Sequence, residues 1–400
     1  MIEKYLVKKI TEPVDWKVTV PGSKSMTNRA LLMAVLSAGT VRVEGVLFSD
    51  DSRHFLACLV ALGFTVEIEE EKKCVTVTGC GGRIPRGEAV IDVGSAGTAA
   101  RFLAAMLGFS DGCYEIRCSA QMKRRPMAEL FDLLSGVGAK ITFLEEEGHL
   151  PVRITGCRYA RADKTAGETP RELSLDITKS TQFLSALLLI APMVPEGMKI
   201  HITSEKTDGS YIRITRKMMQ EFGVSVAFDG RDYEVPCRSF YRKETYMVEP
   251  DMSAACYFYA AAAVTGGRAL VRHVHMDNTQ GDLRFLEVLE HMGCTADDTP
   301  EGVLVTGPAD FKCSPWQACA RSRRRASIST RILTGQRFSW DRRRACRSSP
   351  ISAPRSPWRS MNVRRRLPSG NMWRIPWRGR RAGWSAARTR YSASTVWRIP

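Results

Sequence analysis

Four copies of one pattern constrain the fold more than any other feature of this sequence. In each copy an amphipathic helical stretch ends at a glycine and a strand-like run follows; the glycines are Gly63, Gly138, Gly223 and Gly293. Glycine adopts the left-handed conformation that ends many helices, and β-branched residues favour strands. Because the glycines lie 75, 85 and 70 residues apart, the pattern predicts a repeated α/β unit of roughly 70 residues, with about two helices and several strands in each.

The composition divides the chain near residue 310. Residues 311–400 hold 22 Arg, one Lys, one Asp and no Glu, whereas residues 1–310 hold 36 basic and 41 acidic side chains. The last segment has no apolar period typical of a helix or strand, and dense like charge predicts that it is disordered or poorly packed. We interpret it as the out-of-frame translation of a GC-rich gene. The alternative is a genuine basic tail that binds nucleic acid or an anionic membrane.

Composition also excludes several classes of protein. The longest apolar stretch, residues 186–194, is interrupted by Pro192 and is shorter than the roughly 20 residues of a membrane span. The twelve cysteines are scattered without a C-x-x-C pair, which predicts free thiols in a reducing compartment and a cytoplasmic protein without an export signal. The P-loop and G-x-G-x-x-G patterns are both absent, so we expect no nucleotide cofactor and no metal.

The first of four candidate ligand-binding stretches is PGSKSMTNRA, from residue 21 to 30. Pro21 and Gly22 predict a turn, after which Ser23 or Ser25 is expected to cap a helix. Lys24 is then at the helix start, and Ser25 and Arg29 share one helical face. Free backbone amides and the positive end of the helix dipole favour anions at such a terminus. A capped helix with solvated charges is the alternative.

The second and third stretches also combine cations with helix starts. In GSAGTAAR the small residues allow a ligand to approach the backbone at Gly97 and Thr98, with Arg101 one turn further on. In QMKRRPMAEL, Pro126 is expected at the first position of a helix that runs to Leu134. Three cations would then gather where the dipole disfavours them, which suggests an external anion: Lys123, Arg124 and Arg125. A tight turn and a solvated charge run are the respective alternatives.

The fourth stretch, KSTQFLSALLLIAP, again begins with residues that cap helices. Three side chains precede or open its apolar run: Ser180, Thr181 and Gln182. Plain capping of a core helix is the alternative to ligand binding. Several such termini in one domain nevertheless argue for a shared anion site more strongly than any single one does.

Six motifs occur in one order along the chain: PGSKSMTNRA, GSAGTAARFLAA, KRRPM, STQFLSALLLIAP, SYIRIT and QGDLRFLEVLEHMG. Together they resemble the EPSP synthase (3-phosphoshikimate 1-carboxyvinyltransferase) family over roughly residues 5–308. The resemblance implies an α/β (α+β) fold with two domains of βαβαββ units, each arranged about a pseudo-threefold axis. By analogy, residues 1–20 and 235–310 form a truncated first domain, residues 21–234 form a second domain of three units, and residues 311–400 lie outside the match.

The resemblance also implies a reaction and a set of site residues. The enolpyruvyl group of phosphoenolpyruvate is transferred to the 5-hydroxyl of shikimate 3-phosphate, by a cytoplasmic monomer without cofactors. Positions matching the family's shikimate 3-phosphate ligands are Lys24, Ser25, Arg29, Ser180, Thr181, Gln182 and Tyr211. Positions matching or near its phosphoenolpyruvate ligands are Lys24, Gly97, Thr98, Arg101, Arg125 and Gln182. Lys24 and Asp251 are the catalytic candidates, although Asp251 is also suited to cap a helix.

The sequence departs from the family at several points. Ser95 replaces a usual asparagine, and Asp208 falls where the family has a serine, so its negative charge is expected to repel a phosphate. Family segments of the types Lys-Glu-x-Asp-Arg and Asp-His-Arg are absent from residues 311–400, which contain neither Glu nor His. We therefore expect impaired activity. The remaining alternatives are a UDP-N-acetylglucosamine enolpyruvyl transferase and a nucleic-acid-binding protein that acts through the basic tail.

Overall fold

The computed structural model describes residues 10–157 and 170–308 of the 400-residue chain. These residues contain sixteen strands: β1 (Asp15–Thr19), β2 (Thr40–Glu44), β3 (Thr65–Glu69), β4 (Cys74–Thr78), β5 (Glu88–Asp92), β6 (Cys113–Arg117), β7 (Lys140–Phe143), β8 (Val152–Thr155), β9 (Arg171–Leu175), β10 (Met198–Ile202), β11 (Ala227–Phe228), β12 (Asp232–Val235), β13 (Thr245–Met247), β14 (Arg268–Arg272), β15 (Thr295–Thr299) and β16 (Gly302–Thr306). They also contain nine α-helices: α1 (Lys24–Leu36), α2 (Asp50–Ala61), α3 (Gly97–Gly108), α4 (Ala120–Lys123), α5 (Ala128–Gly136), α6 (Thr181–Ile190), α7 (Ser210–Glu221), α8 (Met252–Thr265) and α9 (Arg284–His291).

The elements repeat one βαβαββ plan. In the unit that begins with β5, the strand order is β5-β6-β8-β7, with β5 and β6 parallel and the other neighbours antiparallel. The parallel pair requires a crossover, which α3 provides, and α5 leads into the hairpin of β7 and β8. The same strand order recurs in β13-β2-β4-β3 and β1-β14-β16-β15. In the fourth sheet, read from its other edge, it is β9-β10-β12-β11, so the predicted repeat is confirmed.

Glycine ends the second long helix of each unit, as predicted. Gly63, Gly138, Gly223 and Gly293 have φ angles of +91°, +99°, +92° and +93°. A side chain with a Cβ is strained at these angles, whereas glycine is not. The four joints therefore turn each helix into the strand that follows it at no steric cost.

Two units exchange their first strands. β1 precedes α1 in the chain but pairs with β14, and β13 precedes α8 but pairs with β2. The two crossing segments run side by side: Gly22 and Pro250 form an antiparallel bridge, and Ser23 N–H donates to Glu249 O at 2.8 Å. The exchange ties the start of α1 to the start of α8.

The described residues contain two hydrophobic core clusters within one compact unit. One cluster draws on residues from Met26 to Val248, and the other on Val14, Val20 and residues from Met252 to Val305. The predicted division into two domains stays a proposal, with one adjustment from the strand pairing. Because β13 belongs to the sheet of β2, the boundary moves from residue 235 to about residue 249. The predicted segment 311–400 lies outside the described residues.

The first helix of each unit differs in how much of it is buried. In α1, α3 and α6 nearly every residue is buried, because these three helices pack against one another. Helix α8 has the same place in its unit and is equally apolar, yet Tyr257 is 56% exposed and Val264 is 68% exposed. The unit that contains α8 therefore has a hydrophobic helix face that its own sheet does not cover.

Two further predictions concern the cysteines and membrane-spanning helices. The nine cysteines among the described residues are all free thiols, as expected. Within the same residues, no helix is both long enough and apolar enough to cross a bilayer.

Candidate active site

Helix α1 presents Lys24 and Ser25 at its start. Ser23 is the N-cap residue, but its side chain makes no capping hydrogen bond, so its predicted role as a side-chain cap is wrong. Its hydroxyl instead lies 3.4 Å from that of Ser25. The Lys24 side chain is half exposed, and its Nζ forms an ion pair of 2.7 Å with Oδ2 of Asp51 on α2. The lysine therefore remains accessible at the helix start.

Arg29, one turn further along α1, is buried at the meeting point of four helices. It is only 2% exposed. Its Nε donates to Thr215 Oγ1 on α7 at 2.8 Å, and its Nη1 donates to the Ser25 carbonyl at 2.8 Å. The guanidinium also lies over two aromatic rings, 5.3 Å from the centroid of Phe102 on α3 and 5.8 Å from that of Tyr211 on α7.

A second arginine cluster surrounds the start of α3. Arg101 is 7% exposed, and its Nη1 donates to the Gly97 carbonyl at 2.8 Å. A Cβ at Gly97 would overlap the Arg125 guanidinium and lie 2.9 Å from Arg101 Nη1, so both cations lie against this glycine. Thr98 is half-buried in the same turn. Close approach therefore requires glycine here, as the small-residue turn predicts.

The segment that carries Arg125 differs from its prediction. Pro126 is not at the first position of a helix, because α5 begins at Ala128 and Met127 is its N-cap residue. Lys123 lies instead in the last turn of the short helix α4, where the dipole favours cations. The proposed electrostatic conflict is therefore wrong for this stretch, and Arg125 reaches Gly97 from the turn between two helices.

Helix α6 completes the group of helix starts. Ser180 caps it as predicted, since its hydroxyl accepts from Gln182 N–H at 3.2 Å. Thr181 is 9% exposed and Gln182 is half-buried. The next residue, Phe183, lies under the Arg101 guanidinium with 5.5 Å to the ring centroid. This contact places the start of α6 beside the arginine cluster of α3.

The two arginine clusters are neighbours. Arg101 and Phe102 are consecutive on α3, and Phe102 lies against Arg29 whereas Arg101 lies against Phe183. All of these contacts involve the first two turns of α1, α3 and α6, so the three N-termini face the same region. The structure therefore brings together the predicted residues on α1, α3, α6 and α7, and it places Arg125 beside those on α3.

Burial leaves both arginines short of counter-charge. Desolvation lowers the pKa of Arg29 to about 10, and it lowers the pKa of Arg101 to about 10 with a further contribution from the positive charge of Arg125. Among residues 10–157 and 170–308, no carboxylate forms an ion pair with Arg29 or Arg101. Arg101 Nε also has no hydrogen-bond partner there. Such uncompensated buried charge is unfavourable, and an anionic ligand would compensate it.

Two acidic residues occupy distinct positions. Asp208 is bonded to Arg213 at 2.5 Å and accepts from Tyr233 Oη at 3.3 Å, so neighbouring groups hold its carboxylate. Asp251 caps α8 by accepting from Ala254 N–H at 3.2 Å. Burial raises the pKa of Asp251, although backbone donors, Lys24 N–H among them, act in the opposite direction. Its capping role is therefore present, and the structure also places it beside the start of α1.

Comparison with known proteins identifies the family. The sequence model described as "EPSP synthase (3-phosphoshikimate 1-carboxyvinyltransferase)" matches residues 8–318, which is most of the chain. The chain belongs to the EPSP synthase family.

Individual relatives agree with this assignment. The chain is 38% identical to the 3-phosphoshikimate 1-carboxyvinyltransferase of Trichormus variabilis over 304 residues, which is 76% of this chain and 69% of that protein. It is 41% identical to the enzyme of that name from a Sulfurovum species over 287 residues, 71% of this chain and 65% of that one. The chain therefore spans about two thirds of the length of these relatives. Their names favour the EPSP synthase interpretation over both alternatives.

A solved structure shares the fold. The EPSP synthase of Acinetobacter baumannii superposes with a TM-score of 0.60 at 24% identity, covering 73% of this chain and 64% of that one. The likeness supports the enolpyruvyl transferase fold inferred from the βαβαββ units.

Sequence reasoning missed several residues of this candidate site. Asp51, the ion-pair partner of Lys24, lies in none of the quoted motifs. Phe102 and Phe183, whose rings lie against the arginines, lie inside GSAGTAARFLAA and STQFLSALLLIAP but were not singled out. Ser185 and Thr215, which contact Arg29, left a weak signal. Ser185 is a lone hydroxyl within the apolar run QFLSALLLI, and Thr215 lies in the buried stripe of the amphipathic helix α7, three residues from both Ile212 and Met218. A polar residue at a core position is the sign that could have identified them.

Proposed function

We propose that this chain binds shikimate 3-phosphate and phosphoenolpyruvate side by side and retains at most a low rate of enolpyruvyl transfer from the second to the first. The observation that carries the proposal is the pair of buried arginines, Arg29 and Arg101, that lack a described carboxylate partner and lie at adjacent helix starts. Both substrates carry a phosphate and a carboxylate, and arginine binds each of these groups through charge-assisted hydrogen bonds.

The Arg29 cluster is the proposed site for shikimate 3-phosphate. Arg29 would contribute a buried positive charge, and Tyr211, whose ring already lies against Arg29, is 41% exposed and available to the shikimate ring. The start of α6 would bind the phosphate through backbone amides and hydroxyls. The proposed ligands are Lys24, Ser25, Arg29, Ser180, Thr181, Gln182 and Tyr211.

The Arg101 cluster is the proposed site for phosphoenolpyruvate. Two guanidinium groups converge on Gly97, whose lack of a side chain leaves room for them. A small dianion fits this concentration of donors better than a larger neutral molecule does. The proposed ligands are Lys24, Gly97, Thr98, Arg101, Arg125 and Gln182.

Lys24 and Asp251 are the proposed catalytic residues among the described ones. Lys24 lies at the start of α1 with an accessible ammonium group, so it would stabilise negative charge on both substrates during transfer. Asp251 adjoins the Lys24 backbone at the junction of the two crossing segments, and burial raises its pKa, as is common for carboxyl groups at functional sites. Family segments of the types Lys-Glu-x-Asp-Arg and Asp-His-Arg are absent from the sequence of residues 311–400, which is why we propose weak turnover.

The test separates binding from turnover in the full chain. Isothermal titration calorimetry with shikimate 3-phosphate should show saturable binding that Arg29→Met weakens by about thirty-fold or more and that Arg153→Met, an exposed change on β8, leaves intact. Phosphate release from both substrates should stay near background. Absence of shikimate 3-phosphate binding would refute the proposed site, and turnover comparable to that of a full-length relative would refute the proposed impairment. Turnover with UDP-N-acetylglucosamine as acceptor would instead support the alternative enzyme.

We further propose that the chain acts as a cytoplasmic monomer. Every proposed ligand lies on one chain, and the nine described cysteines are unpaired thiols. Sedimentation of dilute protein should give the mass of one chain. A stable dimer at the concentrations used for binding would contradict the monomer, without bearing on the site itself.

A further inference from the structure

Two buried hydroxyl groups lie against the Arg29 guanidinium and have no role in the site described so far. Thr215 on α7 and Ser185 on α6 are both fully buried. Thr215 Oγ1 lies 2.8 Å from Arg29 Nε, Ser185 Oγ lies 3.4 Å from Arg29 Nη2, and the two hydroxyl oxygens are 3.1 Å apart. Three helices thus meet through one small polar network.

The hydrogen bonds of Thr215 show that its hydroxyl oxygen can accept from Arg29. Its hydroxyl has one proton, which it donates either to the Tyr211 carbonyl one turn earlier, at 2.8 Å, or to Ser185 Oγ, at 3.1 Å. The lone pairs of Oγ1 are then free to accept from Arg29 Nε, which has no acceptor role of its own. Thr215 therefore acts as a fixed acceptor for the arginine.

The bond to Nε determines the plane of the guanidinium. The five N–H groups of arginine lie in one plane, so holding Nε limits rotation of the whole fork. Nη1 is held by the Ser25 carbonyl at 2.8 Å through one of its two protons. The other Nη1 proton has no protein acceptor among the described residues, and its direction is set by the bonds that hold Nε and the first proton.

We propose that Thr215, supported by Ser185, is a positioning residue for shikimate 3-phosphate, which holds the Arg29 guanidinium in the orientation that binds an anionic group of the substrate. This inference rests on the proposed function of Arg29. Thr215 itself does not touch the substrate in this arrangement. Its contribution is to reduce the rearrangement that Arg29 would otherwise undergo on binding.

Two substitutions separate this role from packing. Thr215→Val keeps the shape of the side chain and removes the acceptor, whereas Thr215→Ser keeps the hydroxyl and removes a buried methyl group. We expect the valine variant to bind shikimate 3-phosphate about ten- to a hundred-fold more weakly and to melt at a lower temperature, because it leaves the buried Arg29 Nε–H without its acceptor. The serine variant should melt at a lower temperature and bind within about threefold of the unaltered chain.

A merely structural role predicts that affinity follows melting temperature across all the variants, so that Thr215→Ser and the control below would lose affinity as Thr215→Val does. That result would overturn the proposal. Ser185→Ala should have a smaller effect than Thr215→Val, because its contact with Arg29 is longer, at 3.4 Å; an equal or larger effect would reassign the principal role to Ser185. The matched control is Thr27→Val, the same chemical change at a fully buried site on α1, whose hydroxyl accepts from Leu47 N–H at 3.2 Å. It should leave affinity unchanged.

A ligand-free measurement keeps this proposal distinct from the proposed function. In protein labelled with ¹⁵N-arginine, the Arg29 Nε–H resonance should exchange slowly with solvent, and Thr215→Val should accelerate the exchange at least tenfold while Thr215→Ser does not. If the unaltered chain fails to bind shikimate 3-phosphate, the proposed function is wrong. If Nε–H exchange is the same in all three proteins, the positioning role of Thr215 is wrong.

Discussion

Replacing Arg29 with methionine separates the cost of burying a charge from its use in binding. Burial lowers the pKa of Arg29 from 12.5 to about 10. At about 1.4 kcal/mol per pKa unit, this corresponds to roughly 3 kcal/mol of unfavourable free energy in the ligand-free fold. The charge is present in both the folded and the unfolded chain at pH 7, since both pKa values lie well above it. The cost therefore applies in full under ordinary conditions.

Methionine has a similar length and no charge, so it removes both this cost and the hydrogen bonds of the guanidinium. Two of those bonds are short, at 2.8 Å, and each contributes about 1 kcal/mol net. Thr215 and Ser185 keep each other and the Tyr211 carbonyl as partners. We therefore expect the free energy of unfolding to stay equal or to rise by about 1 kcal/mol.

Binding should respond in the opposite direction. Removing one member of a buried charge pair costs about 2–5 kcal/mol, so shikimate 3-phosphate affinity should fall by about thirty-fold or more. Urea unfolding and calorimetric titration measure the two quantities on the same preparations, with Arg153→Met as the exposed control. The reasoning would be refuted if Arg29→Met lost more than about 2 kcal/mol of stability, or if its affinity stayed within threefold of the unaltered chain.

Three further outcomes follow from the contacts around the site. Gly97→Ala should displace the Arg125 guanidinium, which a Cβ would overlap, and weaken phosphoenolpyruvate binding about tenfold while shikimate 3-phosphate affinity stays unchanged. Calorimetry with each ligand measures this, and an equal loss of affinity for both ligands would contradict it. Burial raises the pKa of Asp251 above its ordinary value of 3.8, so the folded state binds the carboxyl proton more tightly than the unfolded state does. The stability that this proton contributes is lost as the pH rises above 3.8. Asp251→Asn should therefore gain stability relative to the unaltered chain between pH 4 and pH 7 in urea unfolding, and a difference independent of pH would count against this. Replacing Tyr257 and Val264 on the exposed face of α8 with serine should reduce light scattering by concentrated protein, and unchanged scattering would show that this face does not drive association.

Local sequence patterns predicted much of the fold, because they report on local physics. The left-handed conformation that ends a helix involves the backbone angle of a single residue, and glycine adopts that angle most easily. All four helix-ending glycines could therefore be identified. Cap residues are nearly as local, and Ser180 behaves as predicted. Ser23 does not, because its backbone is drawn into the pairing with Glu249, more than 200 residues away in the chain. The predicted helix start at Pro126 failed because α4 and the turn after it occupy that stretch.

The motifs also predicted the cations and helix starts of the candidate site, since charge and hydroxyl content are properties of single residues. Their grouping was an inference that only the packing of α1, α3 and α6 could establish. The exchange of β1 and β13 between units depends on hydrogen bonds between distant strands, which no local pattern records.

The sequence by itself determined the repeated α/β unit, the glycine joints and the chemical groups available for binding anions, because each depends on residue type and near neighbours. Only the tertiary structure decided which arginines lose their water, which hydroxyl holds Arg29 and which side of α8 stays exposed. Those properties arise from burial and from contacts between residues far apart in the chain, and the energy of a charge depends on that surrounding medium more than on its own identity.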